Sequence, residues 1–254
     1  MQQKDIQEYH TFAFYYPAVT QLSHTRDELC IINDRVLSHR IMHIVRLRNG
    51  DSFTLFDQHA HMECILKDIS EKSVRFSVTS YECNTVYKPH ITVLLPLLKK
   101  DAFEEALYAA AELGANAVQL IMTKKTQRVF GGSKEFERID RVMQAAAEQS
   151  KNFSYPVVLE PILFEQAVIG HEESTKIFFD PDGCPLFNVV RSVQSEIVER
   201  IVLLIGPEGD LTIDEKCLVR KNNFVFCRLT PTILRAQQAV AVSLGAFRSL
   251  LRNE

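Results

Sequence analysis

From Thr11 to about Tyr87 the apolar positions come in short runs: Phe12 to Tyr15, Leu29 to Ile32, Ser52 to Phe56, Glu63 to Ile69 and Val74 to Ser80. Runs of this length, rich in β-branched and aromatic residues, mark strands. Turn formers such as Asn49-Gly50-Asp51 separate them, so a small β-barrel is expected. One helix interrupts it, opening at Asn33 or Asp34 and carrying Val36, Leu37, Ile41, Ile44 and Val45 at helical spacing. Glu82 to Pro89 reads as a linker.

Beyond the linker the period changes, and strand-length apolar runs alternate with amphipathic helices. Ile91 to Leu98 reads as a strand, and Asp101 with Glu104 as a capping box opening a helix. Phe103, Ala106, Leu107 and Ala110 form that helix's apolar stripe, and Gly114 ends it. Ala117 to Met122 is the next strand, and a helix spans about Glu135 to Ser150. Further strands are expected at Lys176 to Phe179, Ile201 to Ile205 and Phe224 to Leu229, with a second capping box, Thr212 and Glu215, between the last two. This alternation implies an α/β unit with a mostly parallel sheet covered on its faces. The last helix, Leu234 to Leu251, is apolar nearly all round. A subunit partner is its expected cover, with burial in one large monomeric core as the alternative.

Composition changes this picture little. The chain of 254 residues, with 46% hydrophobic and 24% charged residues, is that of an ordinary globular protein of one or two domains. A net charge of -3 gives no global positive field, so any nucleic-acid surface must be local. No run is long enough to cross a bilayer, and the start, Met1-Gln2-Gln3-Lys4-Asp5, lacks the features of a secretory signal, so a cytoplasmic location is expected. Six cysteines without a CxxC pair read as reduced thiols. His39 with His43, and His59 with His61, have spacings compatible with metal ligands, but no carboxylate or cysteine set completes a site, and none is expected. Asp180-Pro181-Asp182-Gly183 reads as a turn. The aromatic cluster Phe12, Phe14, Tyr15 and Tyr16 suits barrel core better than base stacking.

Candidate chemistry concentrates late in the chain. In Leu203-Leu204-Ile205-Gly206-Pro207-Glu208-Gly209-Asp210-Leu211-Thr212 a buried strand runs through a glycine-bracketed loop into a capped helix. About twenty residues on, Cys227-Arg228-Leu229-Thr230-Pro231-Thr232-Ile233-Leu234-Arg235-Ala236 leads a second strand into the last helix. Parallel sheets bind ligands at the carboxyl ends of their strands, so the two loops are candidates to share one pocket. A tight strand-to-helix turn is the bland alternative for the first loop.

The GPEG loop followed by L-x-P-x-ILR resembles the RsmE-type methyltransferases, which methylate N3 of a uridine in 16S ribosomal RNA. Ala111-Glu112-Leu113-Gly114 is similar to that family's A-T-E-L-G. Arg138, Arg141 and Glu148-Gln149-Ser150 match its R-x-x-K and E-Q-S/C, and His39, Val45-Arg46-Leu47 and Gly50-Asp51 match its H-x-x-x-V-L-R-L-x-x-G-D. The resemblance implies a PUA-like β-barrel RNA-binding domain over 1–88 and a SPOUT methyltransferase domain over 89–254, the latter with a trefoil knot, helices on both faces of its sheet and a homodimeric assembly. It implies S-adenosyl-L-methionine as cofactor, held by Phe179, Ile205, Gly206, Glu208, Gly209, Leu229, Leu234, Arg235 and Ala236. Arg235 would then stabilise negative charge on the uracil carbonyl oxygens or orient the cofactor, and Glu208 would position the loop or accept a proton. Lys99, Lys100, Lys124, Lys125, Arg128, Arg138, Arg141 and Lys151 form the RNA-facing set, against the alternative of solvated surface charge.

The chain departs from the family's pattern where Asp210 replaces a usual Gly, where Ala236-Gln237-Gln238 replaces T-E-T, and where Ala102, Ala109 and Asn152 replace cations. These departures keep two further readings open: a non-catalytic RNA-binding or ribosome-assembly protein, and a methyltransferase of another RNA acceptor.

Overall fold

Strand alternation and helical periodicity resolve into two units, divided after Thr85. The computed structural model describes residues 11–195 and 198–251, so the segment read for a secretory signal lies outside the described residues. Among the described residues no helix is long and apolar enough to cross a membrane.

The first unit holds β1 (Phe12–Tyr15), β2 (Leu29–Ile32), α1 (Arg35–His39), β3 (Ser52–Phe56), β4 (Ala60–Ile69) and β5 (Val74–Cys83). They form one sheet in the order β1-β3-β4-β5-β2, antiparallel except where β1 joins β3 in parallel. Phe53 packs edge-on against Phe14 and Phe76 at 6.1 and 5.8 Å; of the aromatic cluster expected in the core, Phe14 is buried, Tyr15 and Tyr16 are half-buried and Phe12 is exposed. Asp34 is the N-cap of α1, its Oδ1 accepting the Val36 and Leu37 amides at 2.7 and 3.0 Å. The helix then widens into a π-helical turn over Arg40–Val45. That extra residue per turn shifts the phase: Leu37 and Ile41 are buried while Val36 and Ile44, expected on the same stripe, are exposed. β5 takes up the first two residues of the expected linker.

The second unit alternates β6 (His90–Pro96), α2 (Lys100–Glu112), β7 (Ala117–Met122), α3 (Ser133–Ser150), β8 (Val157–Leu163), α4 (Phe164–Ile169), β9 (Thr175–Pro185), α5 (Leu186–Gln194), β10 (Arg200–Leu204), α6 (Ile213–Lys221), β11 (Val225–Arg228) and α7 (Ala236–Leu250). The sheet is parallel throughout, in the order β11-β9-β10-β6-β7-β8, and helices flank it. β10 is thus inserted between β9 and β6, and connections leave the β6/β10 boundary in opposite directions, which opens a crevice at the strands' carboxyl ends. Leu94, Ile121, Phe178 and Leu204 fill the core beneath it.

Two expectations need correction. Asp101 does not cap α2: the N-cap is Lys99, no side chain caps it, and Asp101 lies in the first turn, where its charge favours the helix dipole. Asp180-Pro181-Asp182-Gly183 does turn locally, with Asp180 Oδ1 accepting the Asp182 amide at 2.9 Å. The chain nevertheless stays in β9 and re-pairs with β11 after a register shift, Cys184 opposite Cys227. Gly183 permits this crossing, because a Cβ there would lie 2.5 Å from the Cys227 amide nitrogen. On α7, Ala239, Val240, Leu244 and Phe247 face inward, against α2 among others, while Val242 and Leu250 are exposed on this chain.

Candidate active site

A cavity of about 980 Å3 occupies the crevice. It is bounded by Phe179–Pro181 in the middle of β9, the carboxyl ends of β10 and β11, the start of α2 and the start of α7. The loop after β10 begins at buried Ile205, whose amide donates to Leu94 O, and tightens where the Asp210 amide donates to Pro207 O at 2.9 Å. The predicted capping box then starts α6: Glu215 Oε2 accepts the Thr212 amide at 2.8 Å, and Thr212 Oγ1 accepts the Glu215 amide at 3.3 Å. Asp210 sits at φ +58°, a left-handed conformation that accounts for a glycine preference at this position.

The second predicted loop meets the first across the cavity. Leu229 and Leu234 are half-buried walls, and Thr230 Oγ1 donates to Thr232 O at 2.6 Å to turn the chain back. Arg235 is the N-cap of α7, and its exposed guanidinium has no partner among the described residues. No side chain caps α7 or α2, so both helices present unpaired first-turn amides near the cavity. Phe179, Ile205, Gly206, Glu208, Leu229, Leu234, Arg235 and Ala236 all line it. Gly209 does not: its carbonyl accepts from Lys125 Nζ at 2.6 Å, alongside the loop.

The predicted basic set is dispersed. Lys99 and Lys100 line the cavity, with Lys99 Nζ 3.5 Å from Glu208 Oε2. Lys124 pairs with Asp214 at 3.2 Å, Arg141 Nε donates to Glu137 O at 3.2 Å, and Lys151 forms the C-cap of α3. Arg138 pairs with Glu104. Arg128 is engaged within the unit, paired with Glu135, donating to Leu98 O at 3.0 Å and lying 4.4 Å over the Phe103 ring. Asn152, where a cation was expected, is buried and donates to Ala111 O at 2.7 Å.

Several lining residues were not foreseen. Arg228 and Thr230 follow directly from the rule that picks strand ends, within the Cys227–Ala236 loop. Asp180 was hidden by its reading as a turn. Among the described residues no cluster of three or more His, Cys, Asp or Glu is disposed to hold a metal ion.

A family model for an RNA methyltransferase domain matches residues 86–248, spanning nearly all of the second unit. Ribosomal RNA small subunit methyltransferase E of Synechocystis sp. is 31% identical over 219 residues, covering 85% of this chain and 71% of that protein. The chain belongs to this methyltransferase family. The Bacillus subtilis ribosomal RNA small subunit methyltransferase E is 27% identical over 236 residues, with 85% and 90% covered. The fold is likewise that of the Neisseria gonorrhoeae methyltransferase E crystallised bound to S-adenosyl methionine, with a TM-score of 0.79, 22% identity and coverage of 95% of this chain and 98% of that one.

Proposed function

We propose that the chain transfers a methyl group from S-adenosyl-L-methionine to N3 of a uridine in 16S ribosomal RNA of the small subunit. The observation that carries this reading is the meeting of the Gly206–Asp210 and Leu229–Arg235 loops over one cavity with an unpaired arginine at its edge, in a member of this family.

The residues present fit the cofactor. The cavity's size is within the range that takes a drug-sized ligand. Ile205, Leu229 and Leu234 offer apolar walls to an adenine ring, and Gly206 leaves open space beside them, with only the Phe178 ring near its absent Cβ, at 3.9 Å. When bound, S-adenosylmethionine supplies an electrophilic methyl on a sulfonium. The chain's contribution is alignment and charge. Uridine N3 carries a proton at neutral pH, and its loss puts negative charge on the flanking carbonyl oxygens. Arg235 is placed to stabilise that charge, and the unpaired amides opening α7 add to it. Glu208, on the same rim, positions the loop through Lys99 or accepts the proton.

The first unit is a PUA-like barrel that grips RNA, within a domain of 1–88. The second, 89–254, is a SPOUT domain threaded as a trefoil knot, acting in the cytoplasm as a homodimer. The exposed Val242 and Leu250 on α7 support a second copy as that helix's cover. Lys99, Lys100, Lys124, Lys125, Arg128, Arg138, Arg141 and Lys151 are the proposed RNA contacts, with Arg128 also paired to Glu135 of α3.

The departures from the family pattern favour no second reading by their geometry: Asp210 bonds Lys216, and Gln237 donates to Glu105 at 3.2 Å. Transfer of labelled methyl from S-adenosylmethionine to small subunits lacking the modification tests the proposal. Label recovered as 3-methyluridine is the expected result. Label in another nucleoside changes the acceptor, and no label with intact folded protein returns the non-catalytic reading.

A further inference from the structure

Lys216 lies on α6 and does not line the cavity, yet two residues that do converge on it. Its Nζ is 2.7 Å from Asp180 Oδ2 and 2.7 Å from Asp210 Oδ2. Asp180 comes from the crossing segment of β9 and Asp210 from the loop after β10, so one ammonium joins two separate walls of the cavity. The Asp180 side chain is only 3% exposed, which makes it costly to leave as an unpaired carboxylate. Asp210 holds a left-handed backbone that an L side chain rarely adopts.

The same helix start fastens a third loop. Glu215 is 2% exposed, and its Oε1 accepts the Lys124 amide at 2.8 Å, while Lys125 Nζ reaches back to Gly209 O. The Gly206–Asp210 loop is therefore held from below by Lys216 and from the side by the loop after β7.

We infer that Lys216 is a positioning residue for the cofactor cavity, holding the β9 and β10 walls at binding distance through paired bonds to Asp180 and Asp210. This rests on the reading of the cavity as the S-adenosylmethionine site. The physical argument is one of sign. Two carboxylates that share one ammonium attract it, but without it they repel each other; Asp180 is buried, while Asp210, with a side chain 58% exposed, lets solvent screen part of that repulsion. Removing Lys216 thus turns a tie between the walls into a force that separates them. A cavity that has to be closed by its ligand binds more weakly than one already formed. Burial alone would lower the Lys216 pKa, but its bonds to Asp180 and Asp210 outweigh that and raise it, so the ammonium persists across the physiological range.

The test is calorimetric titration of full-length protein with S-adenosylmethionine, alongside methyl-transfer kinetics. Lys216→Met is expected to raise the cofactor Kd and KM on the order of tenfold, with kcat at saturating cofactor nearly unchanged, and Lys216→Arg to recover most of the loss. Asp180→Asn with Asp210→Asn in the Lys216→Met background removes the repulsion and is expected to restore binding; a purely structural lysine would show no such rescue. Should Lys216→Met fold poorly, Asp210→Gly supplies a second background: it suits φ +58° and deletes one carboxylate, so adding Lys216→Met there should cost at least about threefold less than in the parent. Parent protein that binds cofactor with Lys216 variants of equal affinity, or with strictly additive effects, overturns the inference. Parent protein that binds no cofactor overturns instead the reading on which it rests.

Discussion

The two ends of α7 each carry an arginine, and they are used in opposite ways. Arg248, in the last turn, donates to Gly114 O at 2.9 Å, Pro89 O at 2.8 Å and Asn116 Oδ1 at 2.6 Å, and lies 5.6 Å over the Tyr87 ring. Asn116 in turn accepts the Ile91 amide and donates to Tyr87 O, so the amino end of the parallel sheet is closed by a connected set of bonds. Burial draws the Arg248 guanidinium down to about 10, which still leaves it charged at neutral pH. Arg235, at the other end of the same helix, is exposed and unpaired among the described residues. The sheet is stabilised where its strands begin and left open to ligand where they end. That division is the usual separation of stability from chemistry in parallel α/β proteins.

The comparison breaks most visibly at Arg235. Arg235→Ala is expected to lower methyl transfer by about a hundredfold or more while the unfolding midpoint in urea stays where it was. A normal rate would show that the unpaired arginine is surface charge. Arg248→Ala should do the reverse, costing about 2–4 kcal/mol of stability because it leaves carbonyl groups without donors, while the folded protein keeps its cofactor affinity. A Kd that rises with Arg248→Ala would mean that the two ends are coupled.

Acid sharpens the contrast. His90 and His171 both lie toward the strands' amino end, and both have lowered pKa values: burial dominates, helped by Arg200 and Arg248 at His90 and by Lys176 at His171. The unfolded chain therefore binds more protons than the folded one below their ordinary value of 6.5. Stability should fall as pH drops through that value, and continue falling until the folded imidazoles protonate. His90→Gln with His171→Gln should flatten that slope in denaturation measured between about pH 5 and 7. An unchanged slope would place the acid-labile groups elsewhere. The smallest effect is chemical. Cys83, Cys184 and Cys217 are exposed, whereas burial raises the thiol pKa at Cys64 and pushes Cys227 up to about 12. Mild alkylation should modify the first three and reach Cys64 and Cys227 only on unfolding, read by peptide mass.

Much of the site was legible because its logic is local. A strand followed by Gly206 and Glu208, and a strand followed by Leu234 and Arg235, each declare themselves in about ten residues, and the rule for parallel sheets brings them together. Thr212 and Glu215 declare a helix start in the same way. What could not be read depends on pairs far apart in sequence. Nothing near Lys216 points to Asp180, and nothing near Arg128 announces Leu98 O as its partner. Asp180-Pro181-Asp182-Gly183 is hard to read for a second reason: its turn chemistry is real, but pairing with β11 overrides it. The π-helical turn after α1 displaced Ile44 without any glycine or proline to announce it.

That crossing at Gly183 has a consequence for the cavity's dimensions. Its missing side chain lets β9 run against the backbone of β11, with Phe226 C and Cys227 N where a methyl would stand. Neither atom belongs to a flexible side chain, so an added carbon can be accommodated only by moving β9 and β11 apart, and β11 is the strand that delivers Arg228 and Leu229 to the rim. Residue 183 thus works as a spacer of zero thickness: it gauges the width of the opening between strands whose ligand-facing atoms lie elsewhere.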